Sequence, residues 1–148
     1  MKKLFLSICL AAVGLLAFAK PPKKNNSDRL FTYAANENLK IMYGKVQDLS
    51  WSKAKDDLLR ADFNIEGEKH SAFFSADGRH VATTTDVTIE QVPAAARKAV
   101  KSKSEGVKVL GLVQYSSETE TAYYLEVSDG LKNTIYKVTG SGQATRFR

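Results

Sequence analysis

The sequence predicts an α+β fold of tandem helix-plus-four-strand repeats, with the helices packed on one side of antiparallel sheet. Three observations lead there. Leu59-Arg60-Ala61-Asp62-Phe63-Asn64-Ile65 alternates apolar and polar residues without a break, which is the period of a half-buried strand. Pro93 through Val100 joins a proline suited to a first helical position to a run of strong helix formers. The stretch after residue 106 then repeats the strand-and-turn pattern that precedes the helix.

The elements follow in chain order. Lys2 and Lys3 precede an apolar run from Leu4 to Phe18, and Ala17-Phe18-Ala19 supplies a small-x-small cleavage pattern. Residues 1–19 therefore read as a secretory signal peptide, which places the product in the periplasm or outside the cell. A membrane span needs roughly 20 apolar residues, more than this run offers. Leu6-Ser7-Ile8-Cys9 looks like a short lipoprotein box, but the apolar core continues past Cys9, so cleavage after Ala19 is the preferred reading. The product then has no cysteine, hence neither a disulfide nor a thiol nucleophile. Its twenty Lys and Arg against sixteen Asp and Glu give a charge of +4.

Residues 20–35, rich in lysine and asparagine, read as a flexible tether. The folded domain is expected over 36–148, with repeats at about 36–88 and 89–148. Asn36 is placed to cap a short helix carrying Leu39, Met42 and Tyr43 to Gly44. Strands begin near Val46. Glu66-Gly67-Glu68 and Asp77-Gly78 turn the chain between strands at 59–65, 70–75 and 79–85. In the helix from Pro93, Ala96, Ala99, Val100 and the stem of Lys103 share one face. That face is expected to cover part of the Leu59, Ala61, Phe63 and Ile65 row. Beyond it, Val107, Val109, Gly111, Val113 and Tyr115 share a parity, Tyr123, Leu125 and Val127 form another strand face, and Asp129-Gly130 turns the chain into Thr134–Val138. A last short strand ends near Phe147. No proline-rich linker separates the halves, which favours a continuous or closely joined sheet.

Trp51, Ala61-Asp62-Phe63 followed by Gly67, Phe74 through Asp77-Gly78, Val92-Pro93-Ala94-Ala95, and Tyr124 with Asp129-Gly130 together resemble the PepSY-like family of exported bacterial proteins, also described as beta-lactamase-inhibitor-like. The resemblance spans about Leu39 to the end and rests on turn and packing signatures. It implies helices on antiparallel strands, no catalytic chemistry, no cofactor, and a role in binding or inhibiting another exported protein. Met42-Tyr43-Gly44-Lys45 departs from the family's usual approach to its first strand.

Chemistry is sparse. Beyond the signal segment there is no Cys, and only His70 and His80, too few for an ordinary zinc site. Asp77-Gly78 and Asp129-Gly130 lack the ligand series of a calcium loop. No Gly-x-Ser-x-Gly elbow occurs, and the pairs Asp56-Asp57 and Glu118 with Glu120 read as turn and surface groups. Arg97, Lys98, Lys101, Lys103 and Lys108 form a candidate basic patch, read first as a solvated helix face that complements the helix dipole. An anionic envelope component is the alternative ligand for it, whereas nucleic acid conflicts with export. Protein binding fits best, with Trp51, Tyr115, Tyr123 and Tyr124 as candidate contacts because aromatic side chains give large contact areas at low entropy cost. The expected function is a non-catalytic exported domain that binds, and in a finer reading inhibits, another envelope protein. The competing reading is a structural envelope protein without a tight partner.

Overall fold

A computed structural model of the chain describes residues 26–148. The expected signal peptide, Cys9 and residues 20–25 of the expected tether lie outside the described residues. The chain divides into two compact units between Ala82 and Thr83, within strand β4, whereas the repeat boundary read from the sequence falls after that strand. Strand order follows the chain from β1 to β8, and the ladders within each unit are antiparallel.

The first unit contains α1 (Asn26–Tyr43), β1 (Gln47–Lys53), β2 (Leu59–Ile65), β3 (Glu68–Phe74) and the start of β4 (His80–Asp86). The helix begins ten residues before Asn36, so it takes in much of the stretch expected to be a tether, and Asn36 lies in its interior. Within it Ala35 is completely buried one turn ahead of Leu39. With Tyr43 it extends the buried stripe at four-residue spacing. Alanine is too small to mark an apolar stripe by its own hydrophobicity. Strand β2 matches its expected range, and its Leu59, Ala61 and Phe63 pack with Ala35 and Leu39 into one core together with Ala72 and Phe74 of β3. The turn into β4 is pressed against the helix: a Cβ on Gly78 (φ +83°) would lie 2.5 Å from the Ala34 Cβ and 2.8 Å from two backbone atoms. The Asn38 Nδ2 donates to the Gly78 carbonyl at 2.7 Å and ties the same turn down.

The second unit holds the rest of β4, a 3₁₀ turn at Ile89–Gln91, α2 (Ala94–Ser104), β5 (Lys108–Ser117), β6 (Thr121–Ser128), β7 (Asn133–Thr139) and β8 (Ala144–Arg146). Pro93 sits at the cap of α2, one residue ahead of the position expected. Ala96 and Val100 are buried against Tyr123, Leu125, Val127 and Val138, with Ala99 partly buried beside them. The shared helix face is therefore as read from the sequence, but its partner is not. Strands β6 and β7 of its own repeat receive it, while the Leu59 row is packed by α1. The single parity expected from Val107 to Tyr115 is also corrected. A bulge between Val109 and Gly111 shifts the β5 register, and an inserted residue exchanges the two faces of a strand. Val107 and Leu112 consequently pack toward α2, while Val113 and Tyr115 pair with Tyr124 and Ala122 on the other face.

Candidate protein-binding site

Three of the four aromatics are core. Tyr123 is 5 % exposed on the face covered by α2. Tyr115 and Tyr124, at 6 % and 2 %, lie on the opposite face, where their rings meet edge-on at 6.2 Å and Phe147 closes on Tyr124 at 5.5 Å. The structure buries these tyrosines on both faces of β6, so they do not serve as surface contacts in this conformation. Strand alternation placed Tyr123 and Tyr124 on opposite faces correctly but carried no sign that both faces would be occupied.

Trp51 differs. It is half-buried on β1, tilted against Phe74 with ring centroids 5.6 Å apart, and packed at the margin of the first core. Strand β1 ends the strand order, so no described strand pairs with its outer edge. Its start is irregular: the register shifts between Gln47 and Ser50, and Asp48 takes φ +53° while its carboxylate accepts a hydrogen bond from Asn64 Nδ2 at 2.7 Å. From Ser50 to Lys53 the pairing to β2 is regular. Leu49, 38 % exposed, lies two residues from the tryptophan on the same strand. Leu49 is absent from the residues expected at the site; its signal in the sequence is a leucine and a tryptophan inside the polar run Gln47-Asp48-Leu49-Ser50-Trp51-Ser52-Lys53.

A polar row occupies the face of the first unit turned away from α1. The Arg60 guanidinium contacts Asp62 Oδ1 at 2.6 Å, donates to Ser71 Oγ at 3.2 Å, and Ser71 Oγ donates to the same carboxylate oxygen at 2.5 Å. Asp62 and Ser71 are cross-strand partners in the ladder. The three groups satisfy one another's hydrogen-bonding capacity.

The basic patch separates into different roles. Arg97 donates to the carbonyls of Glu90 (2.7 Å) and Val92 (3.1 Å), so it fastens the approach to α2. Lys98, Lys101 and Lys108 are exposed. Lys103 turns over the Tyr136 ring, 5.3 Å from its centroid, within cation–π range. The histidines pack on core phenylalanines: His70 stacks on Phe63 at 5.5 Å, and His80 meets Phe74 edge-on at 5.7 Å. Among the described residues no group of three His, Cys, Asp or Glu is placed to hold a metal ion. The two Asp-Gly turns hold their carboxylates with local donors. Asp77 accepts from Ser75 and Arg79, and Asp129 from the Lys132 and Leu131 amides, so both carboxyls ionise below the ordinary aspartate range.

No protein-family model and no curated protein matches the chain. Solved structures do match in fold. A DUF2874 family protein from Bacteroides uniformis superposes with a TM-score of 0.68 at 22 % identity, covering 76 % of this chain and 87 % of the other. A protein from Bacteroides eggerthii described as periplasmic gives 0.68 at 24 % identity, with 76 % and 86 % covered. A BLIP-like protein from Bacteroides fragilis gives 0.69 at 21 % identity, with 88 % of each chain covered. Identities at this level establish a shared fold. Among the described residues no helix is long and apolar enough to cross a membrane.

Proposed function

We propose that the chain is a non-catalytic exported domain, periplasmic or secreted, that acts by noncovalent binding of another envelope protein; inhibition of that protein is the finer form of the same reading. The observation that carries it is β1: a strand that ends the strand order, with no described strand pairing to its outer edge, and that carries the exposed Leu49 two residues from the half-buried Trp51. An extended partner segment can add to such an edge through main-chain hydrogen bonds, while the neighbouring side chains select its sequence. The bulge and the left-handed Asp48 guard only the start of the strand against indiscriminate pairing. The expected signal peptide, the periplasmic description of one fold relative and the BLIP-like name of another support the same reading.

Capture from an envelope extract at low and high salt, followed by titration of any recovered protein, tests it. Binding should be saturable and persist at high salt, since an apolar anchor is little screened. Trp51→Ala should weaken it by at least about 1 kcal/mol, roughly fivefold. Because Trp51 also touches the core, Leu49→Glu supplies the cleaner variant: it should impair capture while the melting curve stays within about 0.5 kcal/mol. Absence of a saturable partner at both salt concentrations favours a structural envelope role instead.

A further inference from the structure

A cavity of about 270 Å³ opens in the second unit near the carboxyl end of α2. Its polar wall is formed by Lys103, Asp129, Lys132, Thr134, Tyr136 and Arg146, and Val107 and Val127 close its apolar side. Three cations against one carboxylate leave a charge of +2. Ion pairs elsewhere join Lys40 to Glu37, Arg60 to Asp62, Arg79 to Asp77 and Lys137 to Glu120. Among the described residues no carboxylate lies within ion-pair distance of Lys103, Lys132 or Arg146. Asp129 is directed into its own turn, where Oδ1 accepts the Leu131 and Lys132 amides, both at 2.9 Å. Lys103 is held over the Tyr136 ring, and Arg146 pairs with Tyr136 in the β7–β8 ladder.

We infer that this cavity binds a phosphate monoester. A monoester carries about −1.5 to −2 charge at neutral pH and three strong acceptor oxygens, which matches the excess of positive charge. Arginine meets two phosphate oxygens at once with its planar fork, while lysines add mobile point charges. The buried Thr134 contributes a hydroxyl at the same wall. The volume lies just below the roughly 300–1,000 Å³ of pockets for drug-sized ligands, so the ligand is small: a phosphoryl group with a glycerol- or sugar-sized remainder. That chemistry occurs in a soluble phosphorylated metabolite and in a lipid headgroup. The inference does not depend on partner binding at β1.

Calorimetric titration of the exported chain separates the sources. One arm uses glycerol 3-phosphate and glucose 6-phosphate with unphosphorylated glycerol as control; the other uses vesicles containing phosphatidic acid, a monoester, against phosphatidylglycerol, a diester. Saturable binding in the first arm, or monoester preference in the second, supports the site and identifies its source. Arg146→Gln and Lys132→Gln should each weaken binding about tenfold or more, as expected for charged hydrogen bonds. Lys98→Gln, an exposed cation of the same helix outside the cavity wall, should leave it unchanged. Failure to bind in both arms overturns the inference. So does equal uptake of the two vesicle types without soluble binding, or a loss with Lys98→Gln equal to that with Arg146→Gln.

Discussion

Replacing Gly78 by alanine probes the contact that fastens the β3–β4 turn to α1. Two penalties combine. A non-glycine residue at φ +83° costs about 1–2 kcal/mol through crowding of its Cβ against its own carbonyl. The new methyl also lies 2.5 Å from the Ala34 Cβ and 2.8 Å from backbone atoms of Ala34 and Ala35. Backbone cannot swing aside as a flexible side chain would, so the turn or the helix must shift, at the roughly 1–3 kcal/mol typical of overpacking. Gly67→Ala is the internal control: Gly67 has nearly the same φ, +86°, with nothing within 4 Å of its added Cβ. Urea unfolding of both variants should show a loss of about 1–2 kcal/mol for Gly67→Ala and about 2–5 kcal/mol for Gly78→Ala. If the two agree within about 0.5 kcal/mol, the packing of the turn on α1 contributes nothing and the account of the first core is wrong.

Two further outcomes follow from the second unit. Ala96→Asp should destabilise by a few kcal/mol, because it places a carboxylate at a fully buried position among Tyr123, Leu125 and Val138; a chemical melt within about 0.5 kcal/mol of the parent refutes the seating of α2. Asp129→Asn should flatten the acid limb of stability. Its carboxyl is held below the ordinary value by the Lys132 and then the Leu131 amide, so its contribution is present above the unfolded value of about 3.9 and is lost as pH falls through the lower folded value. Melts across pH 7 to 2 should therefore show a shallower decline for the variant, and identical slopes reject the proposed role of those amides.

Where local chemistry decided the outcome, the sequence was sufficient. Unbroken alternation placed β2, the alanine run after Pro93 placed α2, and the Asp-Gly pairs marked the β3–β4 and β6–β7 turns. Three failures have one physical origin, since each depends on what lies across from a residue rather than beside it. Ala35 anchors the early part of α1 only because Ala61 and Phe63 belong to the same core. The β5 bulge exchanges the faces of that strand without leaving a gap in its apolar residues. Tyr115, Tyr123 and Tyr124 carry the composition of an interface yet fill both faces of a sheet. The candidate site was legible to the extent of Trp51; that its strand ends the order is a property of topology.

The duplication helps to separate scaffold from function. Gly78 presses on Ala34 and Ala35, and Gly142 presses on Ala95, whose carbonyl oxygen would lie 2.6 Å from an added Cβ. Both repeats thus fasten a hairpin turn to the start of a buried alanine-bearing helix face, and packing accounts for the agreement. Aligning the repeats on these contacts sets Ala35 against Ala96 and Leu39 against Val100, all buried. The same alignment sets Met42 against Lys103 and buried Ala82 against Arg146, and the turn carrying Glu66 and Glu68 against the turn carrying Asp129 and Lys132. The fold therefore forms without cations at the Lys103 and Arg146 positions and with acidic groups at the turn. Lys103 also complements the dipole of α2 and covers the Tyr136 ring, whereas packing gives no reason for cations at Lys132 and Arg146, which a ligand of opposite charge would supply.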